Sequence, residues 1–307
     1  MASITQPGSP RPAQNIPLGI GLMVFAVFLF SANDVLGKWL AASYSAPQIL
    51  LFRGLAALVV LSPFIARTGV RALFSIERPW LQAARASLGA IEVGFFYWAV
   101  AYLPLADAMT YYLAGPIYVT VMAALFLGER VGWRRWSAVT VGFAGVVIAL
   151  GPSASSFGWY ALIPFVGSLI YSVFLVTTRV LRGTPDVAMA AWQVAAGLAL
   201  GIVATPFAWK PFDNAGDALL IGVLGMVSLA AIVGTNRSLA IAPASVVVPY
   251  QYTLIVWAVF FGYVVFGDVP SPGMIVGAAI IVAAGLFIFF RESELGLDPK
   301  AEVPPDR

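Results

Sequence analysis

Apolar residues form ten long runs along this chain of 307 residues, and polar residues are concentrated in the short stretches between them. Each run has about 20 residues, which as an α-helix spans roughly 30 Å of hydrocarbon. A helix also satisfies its own backbone hydrogen bonds, as a segment surrounded by lipid must. The pattern predicts an all-α membrane protein with ten transmembrane helices, at residues 17–41, 46–66, 80–102, 104–127, 134–151, 158–178, 187–207, 217–240, 243–266 and 273–290.

The composition agrees with a membrane location. Hydrophobic residues make up 61% of the chain and charged residues 10%, with a mean hydropathy of +0.91. Soluble proteins have about 45–50% apolar and about 25% charged residues. The remaining polar stretches are the two ends, residues 1–16 and 291–307, which we predict to be tails outside the lipid.

Lysine and arginine are distributed unevenly between the two sides of the membrane. With the N-terminus in the cytoplasm, twelve of the 17 basic residues fall on the inner side, one in an outer loop and four within spans. Cytoplasmic loops carry such an excess, so we predict that both tails of this multi-pass membrane protein are cytoplasmic. Orientation then explains the net charge of +3 without a nucleic-acid partner. The inner basic residues are Arg11, Arg67, Arg71, Arg78, Arg130, Arg134, Arg135, Arg179, Arg182, Arg291, Lys300 and Arg307.

One stretch occurs twice, at residues 104–129 and 243–268, with a constant offset of 139 residues. The matched positions are those that define an apolar helix. A proline stands where the helix starts, aromatic residues seven apart lie on one face, and a glycine followed by an acid ends it. The repeat predicts two five-helix halves, at residues 17–151 and 158–290. Since five is odd, the second half enters the membrane from the opposite side, and the repeats are inverted. The matched pairs are Pro104 and Pro243, Tyr111 and Tyr250, Tyr118 and Trp257, Gly128 and Gly267, and Glu129 and Asp268.

Missing residue types and motifs limit the catalytic and binding chemistry that the chain could carry out. The chain has no cysteine and no histidine, which excludes disulfides, thiolate sites and histidine-based catalysis. Gly37-Lys38 is followed by Trp39 rather than by Ser or Thr and lies within a span, so it is not a nucleotide-binding loop. We predict a protein that is not an enzyme and that uses no cofactor or bound metal.

Several short motifs connect the chain to a known group of proteins. The chain resembles the drug/metabolite transporter superfamily, EamA type, over about residues 17–290. The motifs that carry the resemblance are Gly128-Glu129-Arg130-Val131 leading into Gly142-Phe143-Ala144-Gly145-Val146, the weaker Gly267-Asp268, and Ala101-Tyr102-Leu103-Pro104 against Ala240-Ile241-Ala242-Pro243.

The resemblance implies a function as well as a fold. Within the family the chain is similar to bacterial inner-membrane amino-acid exporters, which implies efflux of amino acids, aromatic or other neutral ones included, or of related metabolites. Alternating access would be driven by the gradient of the substrate or of an ion, through a cavity lined chiefly by spans 1, 3, 4, 6, 8 and 9. The alternatives are a multidrug or other metabolite carrier of the same fold and, in a different class, a non-transporting scaffold or a membrane enzyme.

Glu92 is the ionisable residue closest to the middle of the membrane. A charge at this depth costs about 2.5–3.5 kcal/mol or more, so it faces a cavity or a partner. One interpretation is a carboxyl that contacts a substrate amine or carries a coupled proton. The other is a structural ion pair, either with Arg85, seven residues earlier on the same face of the third span, or with another helix.

Aromatic residues dominate the predicted cavity. Their faces suit zwitterions with apolar side chains, or ammonium groups through cation–π contact. The alternative is ordinary packing together with a belt of Trp and Tyr at the membrane interfaces. Asn33 is a candidate for a polar substrate contact or, equally, for a hydrogen bond to a neighbouring helix. The predicted substrate-binding residues are Asn33, Glu92, Tyr97, Trp98, Tyr111, Tyr118, Ser168, Tyr171, Tyr250 and Trp257.

The remaining polar and small residues have structural interpretations. Asp34, Lys38 and Arg53 are predicted to form a structural cluster near the outer mouth, and Glu129 to cap and orient a cytoplasmic turn. Glycines spaced three or four apart let helices approach closely. We predict that they serve internal packing in a monomer, with a homodimer as the alternative. These glycines are Gly142 and Gly145, Gly197 and Gly201, and Gly273 and Gly277.

Overall fold

The structure is a computed structural model that describes residues 15–41, 43–103, 105–129, 131–151, 158–212, 214–267 and 269–296. Every regular element in these ranges is helical, which confirms the predicted all-α class. The α-helices are α1 (Ile16–Ala41), α2 (Ala46–Thr68), α3 (Val70–Phe74), α4 (Pro79–Tyr102), α5 (Leu105–Tyr112), α6 (Gly115–Phe126), α7 (Trp133–Leu150), α8 (Leu162–Val180), α9 (Asp186–Ala204), α10 (Ala215–Ile241), α11 (Ala244–Val247), α12 (Thr253–Phe261) and α13 (Pro272–Gly296).

Eight helical stretches among the described residues are long and apolar enough to cross a membrane. They include α1, α2, α6, α8, α9, α10, α12 and α13, and they confirm a multi-pass membrane protein. The helices α4 and α7 are not among the eight. Gln82, Arg85 and Glu92 make α4 more polar, and α7 begins with two arginines. At 24 and 18 residues they would still reach about 36 and 27 Å.

The fourth and ninth predicted spans are not continuous helices, and this part of the sequence prediction was wrong. The fourth is divided into α5 and α6, with Pro116 at the start of α6. The ninth passes from α11 through a 3₁₀ segment, Val248–Tyr252, into α12 and then a π-helical turn, Gly262–Phe266. Pro116 and Pro249 lack an N–H and crowd the preceding turn, so each interrupts the α-helical ladder where it stands.

The two spans nevertheless end alike. Gly128 has φ +65° and Gly267 has φ +72°, in the left-handed region where a side chain is unfavourable. Both are the predicted terminating glycines, and this prediction is confirmed.

The last helix ends later than predicted. It continues beyond Arg291 to Gly296, because residues 291–295 include good helix formers before the glycine. The predicted tail therefore begins six residues later, after Gly296.

Helix packing follows the same order in both parts of the chain. The most extensive contacts of α1 are with α10, and those of α8 are with α4. Likewise α2 packs on α9, and α7 packs on α13. With α5 and α6 counted as one span and α11 and α12 as another, helices five spans apart are equivalent. Replacing each helix of a contact by its equivalent gives another of these four contacts or the same one. The packing is therefore unchanged when equivalent helices of the two parts are exchanged.

The spaced glycines lie inside these contacts. A Cβ on Gly145 would lie 2.9 Å from the Gly277 carbonyl oxygen, and one on Gly201 would lie 2.8 Å from the Leu51 backbone nitrogen. These close approaches belong to the α7–α13 and α2–α9 contacts. Internal packing thus accounts for the stripes that had suggested a dimer.

The bundle has two distinct ends. At the terminal end, where α1 begins, the Asn15 amide donates to the Ile241 carbonyl of α10 (3.2 Å). At the far end, where α1 stops, Tyr44 bonds Asp217 and Gln48 bonds the backbone of Lys210. A fully buried cluster, which we call the terminal core, joins helices from both parts of the chain and includes Met23, Val119, Leu175, Leu239 and Val247.

Candidate solute-binding site

Four half-buried polar residues lie near one another between α4, α5, α8 and the 3₁₀ segment Val248–Tyr252. The Tyr112 hydroxyl donates to the backbone carbonyl of Glu92 (3.3 Å), and the Gln251 amide donates to the Tyr171 hydroxyl (2.7 Å). The rings of Tyr112 and Tyr171 lie 6.4 Å apart. We call Glu92, Tyr112, Tyr171 and Gln251 the central site.

The interrupted helices place two of these residues. Tyr112 is the last residue of α5, and Gln251 lies in the 3₁₀ segment that breaks the ninth span. Gly167 on α8 makes room for Tyr112, since a Cβ there would overlap the Tyr112 hydroxyl oxygen. Both residues thus lie where the helices of the fourth and ninth spans are interrupted.

Aromatic rings extend the central site on two sides. Phe96 meets Tyr112 edge to face at 5.3 Å, and Phe174 stacks with Tyr171 at 6.2 Å. The Glu92 carboxylate is close enough to interact electrostatically with the hydroxyls of Tyr112 and Tyr171. The site thus combines one acidic group with aromatic faces and neutral hydrogen-bonding groups, a set that suits a cation or a zwitterion.

Arg85 is fully buried and turns away from Glu92. Its guanidinium donates to the side chains of Gln82 (3.1 Å), Thr178 (3.1 Å) and Gln193 (3.3 Å) and to the Met189 carbonyl (2.8 Å). It also lies 5.1 Å from the centre of the Phe174 ring. Arg85 thus binds uncharged groups instead of forming the ion pair with Glu92 that was the alternative interpretation of that residue.

Three further predicted residues lie near one another on α5, α6 and α8. Ser168 donates to the Phe165 carbonyl (2.8 Å) and shares a side-chain hydrogen bond with Tyr118. Tyr118 in turn packs edge to face on Phe165 at 6.2 Å. Tyr111 is half-buried and within electrostatic range of Tyr118. Of the three helices that carry this group, α5 and α8 also contribute to the central site.

Trp257 lies on the opposite wall, against α1. Its ring packs edge to face on Phe28 at 5.0 Å. Its indole nitrogen is buried and has no hydrogen-bond partner among the described residues. A buried donor of this kind costs about 1–3 kcal/mol, so Trp257 stands out as a residue that a solute acceptor could stabilise.

Other predicted site residues lie outside this group. Tyr250 is buried and donates to the Gly285 carbonyl of α13 (2.8 Å), so it does not match the direction of Tyr111. Asn33 donates to the Leu224 carbonyl of α10 (2.8 Å), which is the helix-to-helix bond considered as its alternative. Trp98 is 53% exposed. The side chain of Tyr97 lies outside the described part of the structure.

A second, mostly apolar cavity of about 70 Å³ lies between α2, α4, α9 and α10. Arg53, which interacts with Asp34 on α1, lies along it. The side chain of Lys38, the third predicted member of that cluster, lies outside the described residues. Much of the lining comes in pairs separated by 139 or 140 residues: Arg53 and Gln193, Gly54 and Val194, Ala57 and Gly197, Gly89 and Ser228, and Val93 and Ile232.

Sequence reasoning missed Tyr112 and Gln251, although the signal was present. These two residues are also 139 apart, the offset of the repeat. Their neighbours Tyr111 and Tyr250 drew attention because both are tyrosines. The pair that meets in the central site is chemically different and matches only in position.

The known proteins that resemble this chain agree on one family. The sequence model of the EamA-like transporter family matches residues 17–151 and 158–290. The chain belongs to this family. The predicted resemblance to the drug/metabolite transporters is thereby confirmed, and the protein is a membrane transporter rather than a member of an enzyme family.

Individual relatives of this EamA-type transporter are named for different solutes. A riboflavin transporter of Rhizobium johnstonii is 32% identical over 88% of this chain and 90% of its own length. An S-adenosylmethionine uptake transporter of Rickettsia bellii is 24% identical (90% and 95% covered), and a pseudopaline exporter of Pseudomonas aeruginosa is 29% identical (87% and 94%). One solved crystal structure has a TM-score of 0.74 at 19% identity, covering 90% of this chain and 98% of that one, which shows a shared fold.

Proposed function

We propose that this EamA-type transporter exports small metabolites that carry a positively charged group next to a planar or apolar part, amino acids and related zwitterions first among them. The observation that carries the proposal is the central site, where the Glu92 carboxyl is within electrostatic range of the hydroxyls of Tyr112 and Tyr171, whose rings lie 6.4 Å apart. A carboxylate attracts an ammonium group, and ring faces attract both the cation and an apolar side chain.

The proposed mechanism is alternating access between two inverted halves of five spans each, at residues 17–151 and 158–290. It is supported by the exchange of equivalent helices in the packing and by the matching glycine ends of the fourth and ninth spans. In this arrangement α4 and α7 complete a set of ten spans, both tails are cytoplasmic and the protein lies in the inner membrane as a monomer. Solute sites of such transporters lie near the midplane between the repeats.

Counterflow in proteoliposomes tests the solute class. Vesicles loaded with one unlabelled compound at a time should accumulate labelled solute when the compound is an amino acid or related zwitterion, and efflux is measured in parallel. Glu92→Gln should lower the response about tenfold or more, because the neutral amide keeps the shape but loses the charge. Glu77→Gln, an exposed carboxyl of the same chain, is the matched control. Stimulation by neutral compounds alone would contradict the proposal.

A flat aromatic solute is the second candidate. It is favoured by the 32% identity to a riboflavin transporter and by the ring pair of Tyr112 and Tyr171. The same counterflow panel therefore includes riboflavin and lipophilic cations. Riboflavin transport that survives Glu92→Gln would favour this candidate over the first.

Glu92 is also the proposed proton carrier if transport is coupled to protons. A carboxyl group at this depth in the membrane can take up and release a proton, whereas a side chain without a carboxyl group cannot. Transport with a pH gradient as the only driving force should then fail in Glu92→Gln. An unchanged response to the gradient in that variant would remove the coupling role.

A further inference from the structure

Glu129 binds the start of the ninth span from across the molecule. One carboxylate oxygen accepts the Ala244 amide (2.9 Å), and the other accepts the Ser245 amide (3.0 Å) and the Ser245 hydroxyl. Glu129 follows α6 in the first half of the chain, whereas Ala244 and Ser245 are the first residues of α11 in the second half. The carboxylate thus caps a helix to which it is not connected, more than 110 residues away.

Two arginines fix this contact from either side. Arg179, at the end of α8, lies 3.7 Å from the Glu129 carboxylate and donates to the Leu239 (2.7 Å) and Ala240 (3.0 Å) carbonyls at the end of α10. Arg135, on α7, donates to the Ser245 hydroxyl (2.9 Å). The side chains of Glu129 and Arg179 are only 11% and 6% exposed, so solvent screens the contact little.

The contact also lies next to the terminal core. Val119 and Ala123 on α6 and Ala244 and Val247 on α11 are all fully buried in that cluster. A solute path through the terminal end would have to separate α6 from α11. That separation would break the bonds to Glu129 and expose the apolar side chains beneath them.

We infer that Glu129, Arg179, Arg135 and Ser245 form an ionic lock that holds the terminal end of the transporter closed. Opening this end releases the start of the ninth span from Glu129, and closing restores the cap. The lock goes beyond the proposed solute class, because it acts on the bundle whatever solute is carried. Glu129 was expected to cap and orient its own turn. In the lock it also joins the two halves of the chain.

Thiol labelling tests the lock without any solute. The chain has no cysteine, so a Val247→Cys reporter in the terminal core gives a signal without background. The reporter should react slowly with N-ethylmaleimide in the otherwise unchanged protein. Adding Glu129→Gln should raise the labelling rate about tenfold, the loss expected for charge-assisted hydrogen bonds. Ser245→Ala, which removes only the hydroxyl bond, should raise it less.

Two controls separate the lock from general loosening. Glu77→Gln changes an exposed carboxyl at the same end and should leave the rate unchanged. An Ile221→Cys reporter in the buried far-end cluster should be labelled equally slowly with and without Glu129→Gln. Fast labelling of Val247→Cys in the starting protein, no effect of Glu129→Gln, or a parallel rise at Ile221→Cys would each overturn the lock. None of these outcomes depends on whether the proposed solute is correct.

Discussion

Two charged residues of α4, Arg85 and Glu92, lie two helical turns apart and have opposite surroundings. Arg85 is fully buried, and its guanidinium donates to four uncharged groups on α4, α8 and α9. Glu92 is half-buried, and its carboxyl is within electrostatic range of two tyrosine hydroxyls at the central site. The cost of a charge in the membrane is thus met in two ways: by a network of hydrogen bonds to the protein at one residue and by nearby neutral hydroxyls at the other.

The difference separates structural from functional charge. A buried residue whose hydrogen bonds go to the protein has little left for a solute. A carboxyl that is only half-buried beside neutral hydroxyls is the better candidate to bind one. Substitutions at both kinds of residue test this difference.

Replacing Arg85 should damage stability most. Arg85→Ala leaves Gln82, Thr178 and Gln193 without their shared donor, and each buried group left unpaired costs about 1–3 kcal/mol. We expect a loss of roughly 3 kcal/mol or more in the free energy of unfolding, measured by denaturation in detergent. Arg182→Ala, at an exposed position just after α8, is the control. Equal stability of the two variants would show that the network is dispensable.

Glu92→Gln should have the opposite profile. We expect its free energy of unfolding to stay within about 0.5 kcal/mol of the parent, the usual range for a change that disturbs no packing. Solute affinity should fall about tenfold or more, as measured by binding to the purified protein. A large loss of stability here would make Glu92 a structural charge like Arg85, and the contrast would fail.

Two tyrosine hydroxyls test the contrast at a finer level. Tyr171→Phe removes the acceptor for Gln251 in the central site, and Tyr250→Phe removes the bond to Gly285. Each hydrogen bond is worth about 1 kcal/mol. Tyr171→Phe should change solute affinity by about fivefold, whereas Tyr250→Phe should lower stability and leave affinity unchanged. If Tyr250→Phe changed solute affinity and Tyr171→Phe did not, the solute site would lie closer to α13.

Trp98→Leu should have the smallest effect. The ring is 53% exposed and fits the aromatic belt at the membrane interface better than a solute contact. We expect stability within about 0.5 kcal/mol and unchanged solute affinity. A clear loss of affinity would return Trp98 to the cavity wall.

Much of the architecture could be predicted from the order of residues alone. The apolar runs, the terminating Gly128 and Gly267, and the family resemblance all depend on composition and spacing, which are local properties of the chain. A helix of about 20 apolar residues has few alternatives in lipid, because any other backbone leaves polar groups unsatisfied. The breaks at Pro116 and Pro249 were also visible in the sequence, although their geometry was not.

Only the tertiary structure decided which side chains meet. Spacing places Arg85 and Glu92 on one face of α4, but it does not say that Gln193 and Thr178 occupy the neighbourhood of one and Tyr171 that of the other. Partners of this kind come from helices more than 70 residues away, and their position depends on how those helices pack. The physical reason is that a helix determines the direction of its own side chains, whereas the groups it faces belong to other parts of the chain.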